Sequence, residues 1–194
     1  MIVTRRRRWM LAAILFSMFT MAVAPGFATG RAMPAQSGPQ PRLRILVAHG
    51  PNLNLLGRRE PQIYGTTTLE QINAHLTDLA KEINVELVMV QSNHEGTLVD
   101  AFQKHMDDVD GGIINGAGLS FSSVSLHDAI KAMPFPVIEV HISNLGTRDE
   151  IHQHSILTPA VRGAVMGLGW RSYTAALRAL AELVREAKAA KRAL

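Results

Sequence analysis

Five short runs rich in branched aliphatic residues recur along the chain: Ile45–Ala48, Glu86–Gln91, Gly112–Asn115, Pro136–His141 and Gly163–Gly167. Near-continuous Val, Ile and Leu content is what a strand covered on both faces requires. The segments between these runs carry helical spacing instead. Strands that alternate with helices close as a parallel sheet with right-handed crossovers. The expected fold class is therefore α/β, an open doubly wound sheet of five parallel strands with helices on both faces.

The helical segments are legible one by one. Thr67-x-x-Glu70 matches a capping box, and Leu69, Ile72, Leu76, Leu79 and Ile83 then recur at three and four. Leu98, Phe102 and Met106 mark a second helix, and Val124, Ile130 and Met133 a less regular third. Thr147-x-x-Glu150 is read as the cap of a short fourth. Tyr173, Leu177, Leu180, Val184 and Ala187 line the last, whose Lys188, Lys191 and Arg192 complement the negative end of a helix.

The N-terminus has a different character. Arg5 to Arg8 precede an apolar stretch, Met10 to Ala24, broken only by Ser17 and Thr20. Small-residue patterns follow at Ala22-Val-Ala24 and Gly26-Phe-Ala28. This reads as a secretory signal over residues 1–28. A cut after Ala28 is favoured, because Pro25 would follow the earlier site. The apolar run is shorter than the ~20 residues that span a bilayer, so an uncleaved anchor is the weaker alternative. The arginine run before Trp9 leaves twin-arginine export open. Residues 29–41 form a polar Pro/Gly spacer, and 42–194 the folded domain, expected to be periplasmic or secreted.

Charge and cysteine usage narrow the partners. The formal charge is +4, and removing the four leader arginines brings it to zero. A basic nucleic-acid footprint is therefore not expected, nor is a membrane partner after cleavage. There is no cysteine, so disulfides, a thiol nucleophile and thiolate metal sites are excluded. Stability must come from the core or from association with copies of the same chain.

In an open α/β sheet, ligands bind beyond the carboxyl ends of the strands. The loop after the first strand, Gly50 to Gly65, reads GPNLNLLGRREPQIYG and carries Asn52, Arg58, Arg59 and Tyr64. A tyrosine titrates near ~10, and service as a base at neutral pH demands roughly 4 kcal/mol of preference for the phenolate. A neighbouring guanidinium supplies part of that preference. The third strand empties into Asn115-Gly-Ala-Gly-Leu-Ser120, followed by Phe121 and two serines. The fourth ends in Glu139-Val-His141-Ile142-Ser143-Asn144, with Arg148 beyond. Each residue also has a plainer reading. Tyr64 alone could be an amphipathic surface residue, and His141 a satisfied structural histidine. Arg58 is a solvated charge. His49, His75, His94, His105 and His154 suit surface or core roles, and His152-x-His154 is too closely spaced for one helical face of a metal site.

Taken together, GPNLNLLGRREPQIYG, Ile138-Glu-Val-His141-Ile-Ser-Asn144 and His154-Ser-Ile-Leu-Thr-Pro159 resemble the type II 3-dehydroquinate dehydratases, from Arg44 to the C-terminal helix. The resemblance implies a flavodoxin-like fold, trimers assembled into a homododecamer, and no metal or organic cofactor. It implies anti elimination of water from the small-molecule substrate 3-dehydroquinate through an enolate. Tyr64 would remove the C2 proton, kept ionised by Arg59. Asn52 would hold the water that stabilises the enolate oxygen. His141, oriented by Glu139, would protonate the departing C1 hydroxyl. Asn115, with the backbone N–H groups of Ile142 and Ser143, would take the carboxylate. Asp128 would reach a neighbouring subunit's site, and Arg148 would belong to the loop that closes the pocket. Separate acid and base tasks are what a β-elimination needs, and donors aimed at the enolate supply the rest.

Three positions depart from the family pattern. Phe121 stands where a histidine contacts substrate hydroxyls, His152 where an arginine grips the same side, and His127 where arginine is common before Asp128. A lost charged hydrogen bond costs ~1.5–3 kcal/mol, so weaker binding or a changed substrate preference is expected. Two alternatives follow: a related dehydratase for a different polyol acid, or a periplasmic binding protein of the same fold without turnover. Export suggests quinate catabolism over biosynthesis.

Overall fold

The structure, a computed structural model, describes residues 41–193. The signal segment (1–28) and the spacer up to residue 40 lie outside the described residues. Five strands, β1 (Leu43–His49), β2 (Val85–Gln91), β3 (Gly111–Asn115), β4 (Val137–His141) and β5 (Gly163–Met166), pair in parallel in the order β2-β1-β3-β4-β5. This is the flavodoxin-like order.

Helices cover both faces. Short α1 (Pro61–Tyr64) lies in the first loop, followed by α2 (Leu69–Glu82), α3 (Glu95–Lys104), α4 (Val124–Lys131) and α5 (Arg171–Arg192). Because side chains alternate along a strand, β1 feeds two cores. Ile45 and Val47 pack with Ile72 and Leu76 of α2 and Leu177 and Leu180 of α5. Leu46 and Ala48 pack with Leu98 and Phe102 of α3 and Leu126 and Ile130 of α4. Truncating a fully buried residue such as Leu76 to alanine costs about 2–5 kcal/mol.

The edge strands differ from the expectation of strands covered on both faces. β2 is only half-buried beyond Val85, and Gly163 and Ala164 of β5 are exposed. Val124, read as part of an apolar stripe, sits on the exposed first turn of α4 at 64% exposure.

Two helix caps are also shifted. Thr68, not Thr67, caps α2: its hydroxyl accepts from the Gln71 N–H at 3.2 Å, and the Gln71 side chain accepts from the Thr68 N–H at 2.9 Å. Two overlapping Thr-x-x-Glu/Gln matches stand side by side there, and spacing alone cannot choose between them. Thr147 caps nothing. It ends a single 3₁₀ turn capped by Asn144, and Asp149 caps the next turn, Glu150–His152.

The chain leaves β1 towards β2 on one side and continues from β3 towards β5 on the other. A crevice therefore opens between the ends of β1 and β3. Close backbone approach fixes it: the Gly50 N–H donates to the Asn115 carbonyl at 2.8 Å. A Cβ at Gly50 would lie 2.4 Å from the Gly116 carbonyl oxygen, so only glycine fits.

Candidate active site

The loops beyond β1, β3 and β4 enclose a cavity of about 170 Å³. The β1 loop is held in a conformation that few residues adopt freely. Asn52 has φ 64°, and its N–H donates to Asn93 Oδ1 at 2.9 Å. Gln91, at the end of β2, donates to the same oxygen at 3.3 Å. Glu60 (φ 37°) then starts α1, which raises Tyr64 into the cavity wall.

Two guanidinium groups flank that phenol. Arg148 donates to the Tyr64 oxygen at 3.1 Å and to Ser143 Oγ at 3.1 Å. Arg59 lies over the ring, 4.9 Å from its centroid, and pairs with Glu60 at 2.9 Å. Arg59, expected to keep the phenol ionised, stands over the ring, while the contact at the oxygen itself is made by Arg148. Arg59 acts across the ring face, and its charge is shared with Glu60.

The β4 end carries a second polar unit. Glu139 is fully buried and accepts from His141 Nε2 at 2.8 Å. Ser155 Oγ and Thr158 Oγ1 donate to the same carboxylate, the latter at 2.7 Å. Burial pushes this carboxyl up, but the hydrogen bonds from His141, Ser155 and Thr158 outweigh it and hold the group below the ordinary range. Glu139 therefore stays ionised, fixes Nε2 as the protonated nitrogen, and leaves Nδ1 of His141 for the cavity. Ser155 and Thr158 were not singled out by role in the sequence, although the His154–Pro159 motif contains both.

From β3 come Asn115 and the turn after it. Asn115 Oδ1 accepts from the Ala117 N–H at 3.2 Å, with Ala117 at φ 48°. Non-glycine residues held at positive φ cost of order 1–3 kcal/mol each, and such strain gathers at functional sites. Phe121 closes the remaining side, edge-on to His152 with centroids 5.1 Å apart, and 6.1 Å from His141. His152 Nδ1 is engaged by Asp149, so that ring nitrogen is already occupied.

Asn52, Arg59, Tyr64, Asn115, Phe121, His141, Ile142, Ser143, Arg148 and His152 all line the cavity. Glu139 stands behind His141. Asp128 does not line it: exposed on α4, it pairs with His127 at 2.9 Å. Among the described residues no group of three or more His, Asp or Glu side chains is placed to hold a metal ion. The arrangement offers a phenol beside cations, an imidazole backed by a carboxylate, and amide donors. These can remove one proton, deliver another and hold an anion.

Residues 43–181 match the family described as dehydroquinase class II. The chain is 47% identical over 135 residues to the 3-dehydroquinate dehydratase of Roseiflexus castenholzii, spanning 70% of this chain and 86% of that protein. It is 52% identical over 135 residues to that of Bordetella avium, spanning 69% and 94%. The crystal structure of type II dehydroquinase from Propionibacterium acnes superposes with a TM-score of 0.71 at 38% identity, covering 74% of this chain and 99% of that one. The shared region takes in the whole sheet and every loop of the cavity, and the chain belongs to the class II dehydroquinase family.

Proposed function

We propose that this chain dehydrates 3-dehydroquinate to 3-dehydroshikimate by anti elimination through an enolate. The observation that carries the reading is the pairing, around one cavity, of the Arg148-bound phenol of Tyr64 with the Glu139-bound imidazole of His141. Tyr64, as phenolate, takes the C2 proton, and the electron pair moves onto the C3 carbonyl oxygen. Arg148 and Arg59 stabilise the negative charge of the base before that transfer. Asn52 holds the water that supports the enolate oxygen. As the enolate collapses, the C1–O bond breaks and imidazolium His141 gives its Nδ1 proton to the leaving hydroxyl, which departs as water. Asn115, Ser143 and the backbone N–H of Ile142 hold the carboxylate so that the two groups act on opposite ring faces.

The finer assignments follow from the same reading. Asp128, outside its own cavity, serves a neighbouring subunit in a trimer-based dodecamer. Residues 1–28 export the protein, and dehydration then belongs to quinate catabolism outside the cytoplasm. Incubating the mature protein with 3-dehydroquinate and following the enone absorbance tests the reaction. Saturable binding without enone formation would make the protein a binding module instead.

Phe121 and His152 favour a second reading, a substrate with fewer hydroxyls on the side they face. The aromatic ring offers no hydrogen bond, and His152 Nδ1 is committed to Asp149. Analogues of 3-dehydroquinate lacking the C4 or C5 hydroxyl decide between the two. A higher kcat/KM for them marks a retuned pocket. A gain on 3-dehydroquinate from Phe121→His with His152→Arg marks a weakened one.

A further inference from the structure

The residue that opens a helical turn ordinarily takes an extended backbone and caps the turn with its own side-chain oxygen. Asn52 opens the 3₁₀ turn Leu53–Leu55 and does neither. Its backbone is left-handed, at φ 64° and ψ 0°, and its side chain makes no capping bond. The side-chain amide is thereby kept for the cavity, which Asn52 lines. Asparagine tolerates positive φ better than most residues, yet for a side chain with a Cβ the conformation still costs free energy.

Two hydrogen bonds hold it there, one on each peptide plane beside the Cα. The Asn52 carbonyl accepts from the Leu55 N–H at 3.0 Å. The Asn52 N–H donates to Asn93 Oδ1 at 2.9 Å. Since peptide units are planar, fixing both planes fixes φ and ψ of the residue between them.

Asn93 sits in the loop between β2 and α3 and does not line the cavity. A backbone N–H can only donate, so the oxygen of the Asn93 amide must face Asn52. Gln91 Nε2 donates to the same oxygen at 3.3 Å and to the Gly50 carbonyl at 3.4 Å. The loop is rooted in the core. The Ser92 N–H donates to the His49 carbonyl at 3.0 Å, and Nδ1 of the buried His49 ring lies 3.0 Å from the Tyr173 hydroxyl. Ser92 Oγ accepts from the His94 N–H at 2.9 Å, which closes the chain around Asn93. Without Asn93, residue 52 is free to return to the extended backbone of an ordinary cap. Its side-chain oxygen would then turn to the N–H groups of the 3₁₀ turn, and the amide would leave the cavity.

We propose that Asn93 is a positioning residue for the elimination: by holding the Asn52 N–H, it keeps the Asn52 side chain on the water at the enolate oxygen. The proposal rests on the reading that Asn52 holds that water. The enolate oxygen gains its charge only as C2 is deprotonated, so the loss should fall on kcat and not on KM.

Steady-state kinetics with 3-dehydroquinate on the full chain test it. Asn93→Ala should lower kcat about five- to tenfold, the usual worth of one hydrogen bond, with KM within about twofold. Asn93→Asp keeps oxygens for both donors and should return kcat to within about twofold. Asn52→Gly removes the amide and accepts the left-handed backbone freely, so adding Asn93→Ala to it should cost less than about twofold more. An unchanged kcat in Asn93→Ala, a loss carried by KM, an Asn93→Asp variant as slow as Asn93→Ala, or losses that multiply in the double variant would each overturn the proposal. Hydrogen exchange of the Asn52 N–H gives a readout that needs no turnover. It should be slow in the unsubstituted protein and in Asn93→Asp, and fast in Asn93→Ala. Exchange as fast as that of an open amide in the unsubstituted protein overturns the proposal, whether or not the variants fold. Failure of the unsubstituted protein to convert 3-dehydroquinate would sink the proposed reaction and leave hydrogen exchange to decide whether Asn93 holds Asn52.

Discussion

Acid should destabilise this fold through His49. Burial lowers its imidazole to about 4 from an ordinary 6.5, against a smaller opposing effect of Asn73. The unfolded chain takes up a proton near 6.5, whereas the folded chain does not until about 4. Between those values the unfolded state binds more protons, so stability rises with pH and is lost on acidification. A gap of about two and a half units at 1.36 kcal/mol each gives a loss of about 3 kcal/mol by pH 4. His49→Asn keeps a hydrogen-bond acceptor for Tyr173 but cannot titrate. Urea unfolding of both proteins, followed by circular dichroism between pH 7 and pH 4, isolates the term, because every other titrating group is common to the two. The unsubstituted protein should lose about 3 kcal/mol more than the variant across that range. Two curves that fall in parallel would refute the assignment of a buried neutral imidazole.

Tyr64→Phe should lower kcat by about 10²–10⁴-fold, the usual share of a general base, and leave the melting temperature close to that of the unsubstituted protein; turnover within threefold would remove the phenol from the mechanism. Glu139→Gln sets an amide among three donors and should cost about 1–3 kcal/mol along with most of the turnover, as read by urea melts and enone formation. Since Glu139 is held below the ordinary carboxylate range, its contribution is present above that range and disappears as pH falls through the folded value. The deficit of Glu139→Gln should therefore shrink in acid. Gly50→Ala forces a methyl to within 2.4 Å of the Gly116 carbonyl oxygen. It should destabilise by about 1–3 kcal/mol, and an unchanged urea midpoint would show that the crevice can widen freely.

The strands were legible to within one or two residues, because each is an apolar run bounded by polar or glycine-rich chain. The periodicity of α2 and α5 was equally plain, since their buried residues face one side of the sheet. Errors arose where a local pattern was ambiguous or a contact was not local. Thr67 and Thr68 both match a cap signature, and only backbone geometry selects Thr68. Arg59 does meet the Tyr64 ring, whereas the second guanidinium, on the phenol oxygen, comes from distant Arg148, which the sequence reading places only in a closing loop. Ser155 and Thr158 reach Glu139 from a loop sixteen and nineteen residues further on. No period encodes such a meeting. Tyr173 fits an apolar helical stripe, and nothing in that stripe says that its hydroxyl would find His49 on β1.

The bond between Arg148 and Tyr64 joins positions 84 residues apart, and its ends lie on opposite sides of the order reversal in the sheet. A nascent chain that has completed only its first two strands and their helices holds Tyr64 and Arg59 without Arg148, His141 or Asn115. Turnover during refolding should therefore appear late, in step with the final docking of α5 and not with early gains in helical signal. Recovered enone production would serve as a stringent reporter of complete assembly, able to reject compact intermediates that spectroscopy alone would count as native.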